Sequence, residues 1–299
     1  MFKNALRKVF ANGSVRLGGG VLLLLILMSI FAPWLGTIDP TMLDPGSQNL
    51  LPGTTNIFMT LDGDEFEHFF LMGSDSLGRD IWSRTLYGGR VSITLGISVA
   101  LLAVFFGTVA GLLSGYFRWV DAVMMRVMDG FMSIPAILFA ISLIAMFGNA
   151  LVIVVTAIAI PSIPRIARLV RSVVLSVREE PYVEAAIALD TPVWKILLRH
   201  ILPNATAPLI VQGTYVCAEA ILVEAILVEA ILSFLGVGMP VEAATWGNIM
   251  AEGRSQFNAY PHMVLLPGIF LVLTILSVNI LGDGLRDSLD PKFSKRSDK

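Results

Sequence analysis

From Gly130 to Pro164 the sequence reads GFMSIPAILFAISLIAMFGNALVIVVTAIAIPSIP, 35 residues without a charged side chain. As one helix this stretch would be about 52 Å long, too long for a single crossing of a hydrocarbon core about 30 Å thick. Gly148 and Asn149 near its middle are turn formers, so the stretch predicts two membrane spans, the second closed by Pro161 and Pro164. Helices are the form such a segment takes in lipid, where every backbone N–H and C=O must find its partner inside the segment.

Working outward, four more charge-poor intervals appear. The first runs from Leu17 to Ile38 and contains VLLLLILMSIF; Pro33 and Trp34 follow where a signal peptide would carry small residues, which predicts a retained anchor. The second runs from Val91 to Phe117. The fifth span is expected from about Ala205 to Phe234, interrupted by Glu219, Glu224 and Glu229, and the sixth lies within Ser255 to Gly282, with its lipid part near Met263 to Leu281. The fold class is therefore an all-α integral membrane protein of six transmembrane helices. Composition agrees: 55% of the residues are hydrophobic and 15% charged, against about a quarter charged in soluble chains. A net charge of −2 gives no basic field for nucleic acid. The single cysteine, Cys217, can form no internal disulfide, and His68, His200 and His262 are too scattered to suggest a metal site.

Orientation follows from Lys and Arg, which accumulate on the cytoplasmic side. With the N-terminus inside, 17 of the 21 basic residues fall on inner segments; Arg79, Arg84, Arg90 and Arg254 fall outside. Both termini are then cytoplasmic. The organisation expected is 1–40 for the N-terminus and first span, 41–90 for an extracytoplasmic segment, 91–285 for a five-span core with an inner loop at 165–203, and 286–299 for a cytoplasmic tail. The outer segment, with LDGDEFEHFF, is long enough to fold over an outer mouth. The inner loop is the most basic part of the chain and the natural docking surface for a cytoplasmic partner.

That loop contains VREEPYVEAAIALDTPVWKILLRHILPNATAPLI. Tyr182 to Leu189 favour helix, and Glu184, Ala185 and Ala186 combine a small-residue patch with one carboxylate. Small residues permit close entry into a groove of a partner. Pro192 suits the first turn of the next helix, capped by Thr191 or Asp190. Residues alone fit an ordinary amphipathic surface helix equally well. No G-x-x-x-x-G-K-[ST] phosphate loop occurs; the nearest pattern, Gly73 to Gly78, continues with Arg79-Asp80. Neither H-E-x-x-H nor G-x-S-x-G appears, which argues against an intramembrane hydrolase.

EAAIALD followed by ILPN resembles the Glu-Ala-Ala loop of ABC importer permeases. Three stretches sharpen the match to the second permease subunit of the dipeptide, oligopeptide and nickel branch: GSDSLGRDIWSRTLYGGRVSITLGI (Gly73 to Ile97), ILSFLGVGMP with TWGNIMAEGR (Ile231 to Arg254), and PGIFLVLTILSVNILGDGLRDSLDPK (Pro267 to Lys292). The resemblance implies a type I ABC importer permease in a bacterial inner membrane, forming half of a translocation pore with a homologous second permease subunit. Two cytoplasmic ATP-binding subunits and an extracytoplasmic solute-binding protein would complete the machine; this chain would bind membrane lipid but no cofactor, and ATP-Mg would sit in the partner subunits. It also implies that Glu184, Ala185, Ala186, Leu189 and Asp190 meet the ATP-binding subunit. Di- and oligopeptides are the expected cargo, with nickel, glutathione or an oligosaccharide as alternatives.

Two departures from the family pattern stand out. Asp190 occupies the loop's usual glycine position, so its turn must form without glycine's freedom at positive φ, which Asp tolerates better than most residues. EAILVEAILVEAIL, Glu219 to Leu232, repeats a unit that the family ordinarily shows once. Five residues advance a helix by about 500°, so successive glutamates point about 140° apart and cannot share one face. Glu229 takes the position of the single glutamate and is expected at the pore or a subunit contact. Glu219 and Glu224 read as surplus from a tandem duplication, tolerated in a neutral state or against a partner subunit; the alternative is a secondary transporter that uses all three carboxylates.

Overall fold

The computed structural model describes residues 9–60, 63–148, 150–235 and 244–289. Among them are nine helices of eight residues or more: α1 (Gly13–Ile30), α2 (Ile81–Tyr116), α3 (Arg118–Ser133), α4 (Ala136–Phe147), α5 (Leu151–Val177), α6 (Pro181–Ala188), α7 (Leu202–Leu235), α8 (Trp246–Arg254) and α9 (His262–Leu289). Five helical segments are long and apolar enough to cross a membrane, and α3 with α4 make a sixth if that bent pair is one span. The chain is thus a multi-pass membrane protein.

Several boundaries differ from the expected ones, each for a local reason. The first helix stops at Ile30 because Pro33 lies in a 3₁₀ turn, Ala32–Trp34. The second begins at Ile81, not Val91, and carries Arg84 and Arg90 inside it. The third span does not start at Gly130. Ile134, placed before Pro135, is extended at φ −96° and ψ 126°, and Pro135 then caps α4, so the chain bends by 86° between α3 and α4. At about 18 Å, α4 is too short to cross alone. Gly148 does make the expected break, with φ +90° and its N–H donated to the Ile144 carbonyl. Pro161 and Pro164 lie inside α5 rather than closing it. In an apolar helix packed against neighbours the alternative to helix is unpaired backbone, which lipid penalises more heavily than a proline break.

The chain divides into two compact units. Unit 1 comprises 1–19, 97–220 and 278–299. In it Gly107, Gly111 and Gly115 recur every fourth residue along α2, one stripe of the helix, and meet Ile166, Val170 and Val174 of α5. A β-carbon on these glycines would stand 2.6, 2.6 and 2.5 Å from the β-carbons of those partners, closer than any packed side chain allows. Small residues are what let two membrane helices approach this closely. Ala110, Met128 and Ala167 continue the core toward α3.

Unit 2 comprises 20–96 and 221–277. Its segment between α1 and α2 is not loop alone: β1 (Thr54–Met59) and β2 (Glu65–Phe70) pair antiparallel with Asn56 opposite His68 and Phe58 opposite Phe66. Alternation buries Phe58, His68 and Phe70 while Thr55, Ile57 and Glu67 face outward. Trp246 is buried and donates its indole N–H to the Thr85 carbonyl at 2.9 Å. Met72, Ile81 and Met263 form a further core with Trp82, Tyr260, Leu266 and Phe270 around it.

The glycine stripe yields a test. Gly111→Leu should destabilise the detergent-solubilised protein by about 1–3 kcal/mol or more through overpacking, read as a lowered thermal midpoint. Gly130→Leu, at a glycine with nothing within 4 Å, is the control and should leave the midpoint unchanged or slightly raised.

Candidate functional site

The expected coupling helix is α6, Pro181–Ala188. Pro181 occupies its first turn, where a missing N–H costs nothing, after an extended Glu180. Glu184 lies in the first turn, where the helix dipole favours a carboxylate. At the other end Asp190 adopts φ +56°, the left-handed conformation that favours glycine. Its N–H bonds to the Ile187 carbonyl at 2.9 Å, and the Thr191 N–H reaches the Ala186 carbonyl at 3.1 Å. These are the two bonds of a Schellman motif, so an aspartate builds the cap usually made by glycine.

The helix divides its residues between two sides. Val183 and Ala186, three apart, are buried; Glu184, Ala185, Ile187, Leu189 and Asp190 are exposed. Ala186 therefore belongs to the inner side, not to the outward patch expected of Glu184, Ala185 and Ala186 together. Leu189 is 81% exposed, and Tyr182, Trp194 and Leu198 are exposed large side chains in the same segment. Sequence reading passed over Trp194 and Leu198; their signal was an apolar side chain beside a basic one, with the Lys195 ammonium 5.4 Å from the Trp194 ring. Pro192 is the cap residue itself, one place before the position expected, and neither Thr191 nor Asp190 caps the turn Val193–Lys195. A π-helical turn, Ile196–Ile201, then leads into α7.

The basic inner loop also changes character. Arg165, Arg168 and Arg171 are on α5, and each meets an acid. Arg171 makes a two-pronged pair with Asp121 of α3 at 2.5 and 2.7 Å, Arg168 meets Asp129 of α3 at 2.5 Å, and Arg165 meets Glu219 of α7 at 2.6 Å. Arg178 donates to the Gly115 carbonyl at 3.3 Å. These arginines serve helix pairing before any docking.

In unit 2, Arg79 and Arg84 are buried with Asp75, and both also pair with Glu252 of α8. The Arg79–Asp75 contact is 2.7 Å; Arg84 lies 2.5 Å from Asp75 and 2.6 Å from Glu252. Glu224 is fully buried and accepts from the Thr245 hydroxyl at 2.7 Å; that hydroxyl in turn caps α8 by accepting from the Asn248 N–H at 3.1 Å. Gly247 permits this approach, since a β-carbon there would stand 2.8 Å from Ala225 Cα. Glu219 thus has an arginine partner within this chain in place of the neutral state or other subunit expected of it, whereas Glu224 is buried against a hydroxyl, an environment that suits the neutral state expected of it. The side chain of Glu229, expected at the pore or a subunit contact, lies outside the described residues, as does the tail beyond 289. Among the described residues no group of His, Cys, Asp and Glu is arranged to hold a metal ion.

Apolar spans joined by internal ion pairs, with an exposed capped helix between two of them, define a multi-pass membrane protein that presents a short helix beside its spans. The family model described as binding-protein-dependent transport system inner membrane component matches residues 103–295, and that of the N-terminal TM domain of oligopeptide transport permease C matches residues 1–52. The chain belongs to this family of binding-protein-dependent inner membrane permeases. It is 45% identical over 282 residues to a probable peptide ABC transporter permease protein of Sinorhizobium fredii, covering 94% of this chain and 90% of that one. It is 38% identical over 293 residues to the dipeptide transport system permease protein DppC of Alkalihalophilus pseudofirmus, covering 98% and 90%. Identity to the glutathione transport system permease protein GsiD of Pectobacterium atrosepticum is 41% over 223 residues, covering 74% and 72%.

The cap at Asp190 can be tested by amide hydrogen exchange. Asp190→Val should lose about 1–2 kcal/mol of local stability, seen as faster exchange at residues 190 and 191. Asp190→Gly should stay within about 1 kcal/mol of the natural protein, because relief of the positive φ offsets glycine's greater freedom when unfolded.

Proposed function

We propose that this chain is one of two permease subunits of an ATP-driven importer of di- and oligopeptides, the second being a homologous chain. Two cytoplasmic ATP-binding subunits holding ATP-Mg and an extracytoplasmic solute-binding protein complete the assembly, and this chain itself performs no hydrolysis. The observation that carries the reading is the outward side of α6: Glu184, Ala185, Leu189 and Asp190 stand exposed on a helix whose end is fixed by its cap. In a chain of this family, that side is the docking surface for the ATP-binding subunit. Peptide cargo is favoured by the peptide and dipeptide permeases among its relatives. Glutathione, itself a small peptide, fits the same chemistry.

The helix order gives a direct mechanical route. α6 follows α5 after a few residues, and α5 is tied to α3 by Arg168 and Arg171. When ATP closes the two ATP-binding subunits, α6 is displaced with its docking cleft, and α5 is the lever that transmits the displacement to the spans. Such coupling is a difference in free energy between two states of the assembly, biased by ATP on one side and by the loaded binding protein on the other.

Leu189→Asp should lower peptide uptake by more than about tenfold in the reconstituted complex, because an exposed apolar anchor in a docking groove becomes a charge. Membrane insertion should be unaffected. Uptake must follow ATP and ignore a proton gradient; normal uptake by Leu189→Asp, or uptake driven by the gradient alone, would sink the reading.

Both termini and α6 are cytoplasmic in this reading, and the hairpin is external. Of the basic residues assigned outside, Arg79 and Arg84 are buried against Asp75 and Glu252, so they weaken the charge asymmetry little. A membrane-impermeant thiol reagent applied to intact cells should label Thr55→Cys on the hairpin and miss Ser176→Cys near the end of α5. Ser47, in the same outer segment, is fully buried and would be silent either way.

A further inference from the structure

The three ion pairs of α5 are unequal. Arg171 holds Asp121 by two short bonds, and both side chains are mostly covered, 33% and 23% exposed. Arg165 holds Glu219 by one short bond of 2.6 Å, and its second nitrogen is 3.4 Å from the other carboxylate oxygen. Those two side chains are 53% and 42% exposed. Arg168 holds Asp129 by one short bond, with 45% and 64% of those side chains exposed, so the series is closed at Arg171 and open at Arg168 and Arg165.

Position makes the Arg165 rung unusual. α5 has 27 residues, about 40 Å of helix, and Arg165 lies about 21 Å along it from Leu151, within the length needed to cross a hydrocarbon core about 30 Å thick. An exposed ion pair at that depth cannot face hydrocarbon without a penalty of several kcal/mol. This side of α5 and α7 must therefore face water or polar groups. A loosely held pair there retains unused capacity: a guanidinium offers five donors and a carboxylate about four acceptor sites, and the single short bond occupies one of each.

We propose that Arg165 and Glu219 line the cargo's route and form a charged station for a zwitterionic peptide, whose ammonium takes Glu219 and whose carboxylate takes Arg165. The exchange replaces one internal ion pair with two, so neither protein charge is left bare while the cargo passes. A neutral solute cannot open the pair, and a simple cation would leave Arg165 unpartnered. This inference rests on the peptide reading above and adds the residues that meet the peptide inside the membrane.

The test uses the complete reconstituted importer with its binding protein, and peptides that the natural complex imports with either a free or an amidated C-terminus. Arg165→Gln and Glu219→Gln should each lower uptake of the free peptide about tenfold or more, while ATP hydrolysis stimulated by the binding protein persists. The natural complex should favour the free over the amidated peptide, and Arg165→Gln should abolish that preference. The charge-reversed pair Arg165→Glu with Glu219→Arg should regain most of the uptake. In a Cys217→Ala background, Glu219→Cys should react with a charged, membrane-impermeant thiol reagent and be protected by peptide. Equal loss for free and amidated peptides, loss of ATP hydrolysis together with uptake, or an unreactive Glu219→Cys would make the pair a structural strut and overturn the proposal. Unchanged uptake by both Gln variants would overturn it while leaving the peptide reading intact, whereas a natural complex that imports no peptide would overturn both.

Discussion

The cost of a charge in hydrocarbon is the constraint around which this chain is organised. Arginines inside helices that must also be apolar enough for lipid need partners, and Arg84, Arg165, Arg168 and Arg171 find theirs in acids of other segments. Arg84, within α2, meets Asp75 before the helix and Glu252 on α8. Arg165, Arg168 and Arg171, within α5, meet acids on α7 and α3. Removing Asp75 would leave the buried Arg79 and Arg84 short of a partner at a large desolvation cost, so that cluster constrains its neighbours most strongly. Neighbour choice, more than apolar burial, is what these pairs contribute, because lipid tails satisfy apolar side chains as well as other helices do.

With the hydrophobic effect weak between helices, contact has to come from shape and backbone. Gly107, Gly111 and Gly115 supply shape in unit 1, removing side chains where Ile166, Val170 and Val174 of α5 press against α2. The same helix α5 carries Pro161 and Pro164 and continues through both. A proline in a soluble helix interior is a strong break, yet here no water waits to accept the freed carbonyls, so the helix is held by the scarcity of alternatives. Close packing and internal prolines are two consequences of the same solvent.

Charge-free runs were a sound guide to which segments enter the membrane, because the cost that excludes charge is local and readable residue by residue. The cores of α1, α2, α7 and α9 and the break at Gly148 were legible on that basis. Helix ends were less so. Arg84 and Arg90 were read as marking the outside of a span, whereas α2 includes both, since Arg84 finds partners that no local window reveals and Arg90 donates to the Ser29 and Ile30 carbonyls at 2.7 and 3.0 Å. The bend at Ile134-Pro135 had a plain local signal that the longer charge-free run concealed. In the candidate site the position of the short helix was legible from its residues, but the turning inward of Ala186 and the exposure of Trp194 and Leu198 depend on what the segment packs against.

The five-residue repeat on α7 shows why a pattern and its environment must be separated. Glu219 and Glu224 begin identical units, EAILV, so local sequence offers no reason for them to differ. Helical rotation does: five residues carry the second carboxylate about 140° from the first. Glu219 is half exposed and held by an arginine, while Glu224 is fully buried and held by the hydroxyl that caps α8. Asp190 illustrates the converse, a changed residue in an unchanged role, since its left-handed backbone closes the same two-bond cap that glycine would close. Duplicated residues can acquire different functions and substituted ones can keep the old one. In both cases the deciding quantity is backbone direction, which determines where each polar group finds its partner.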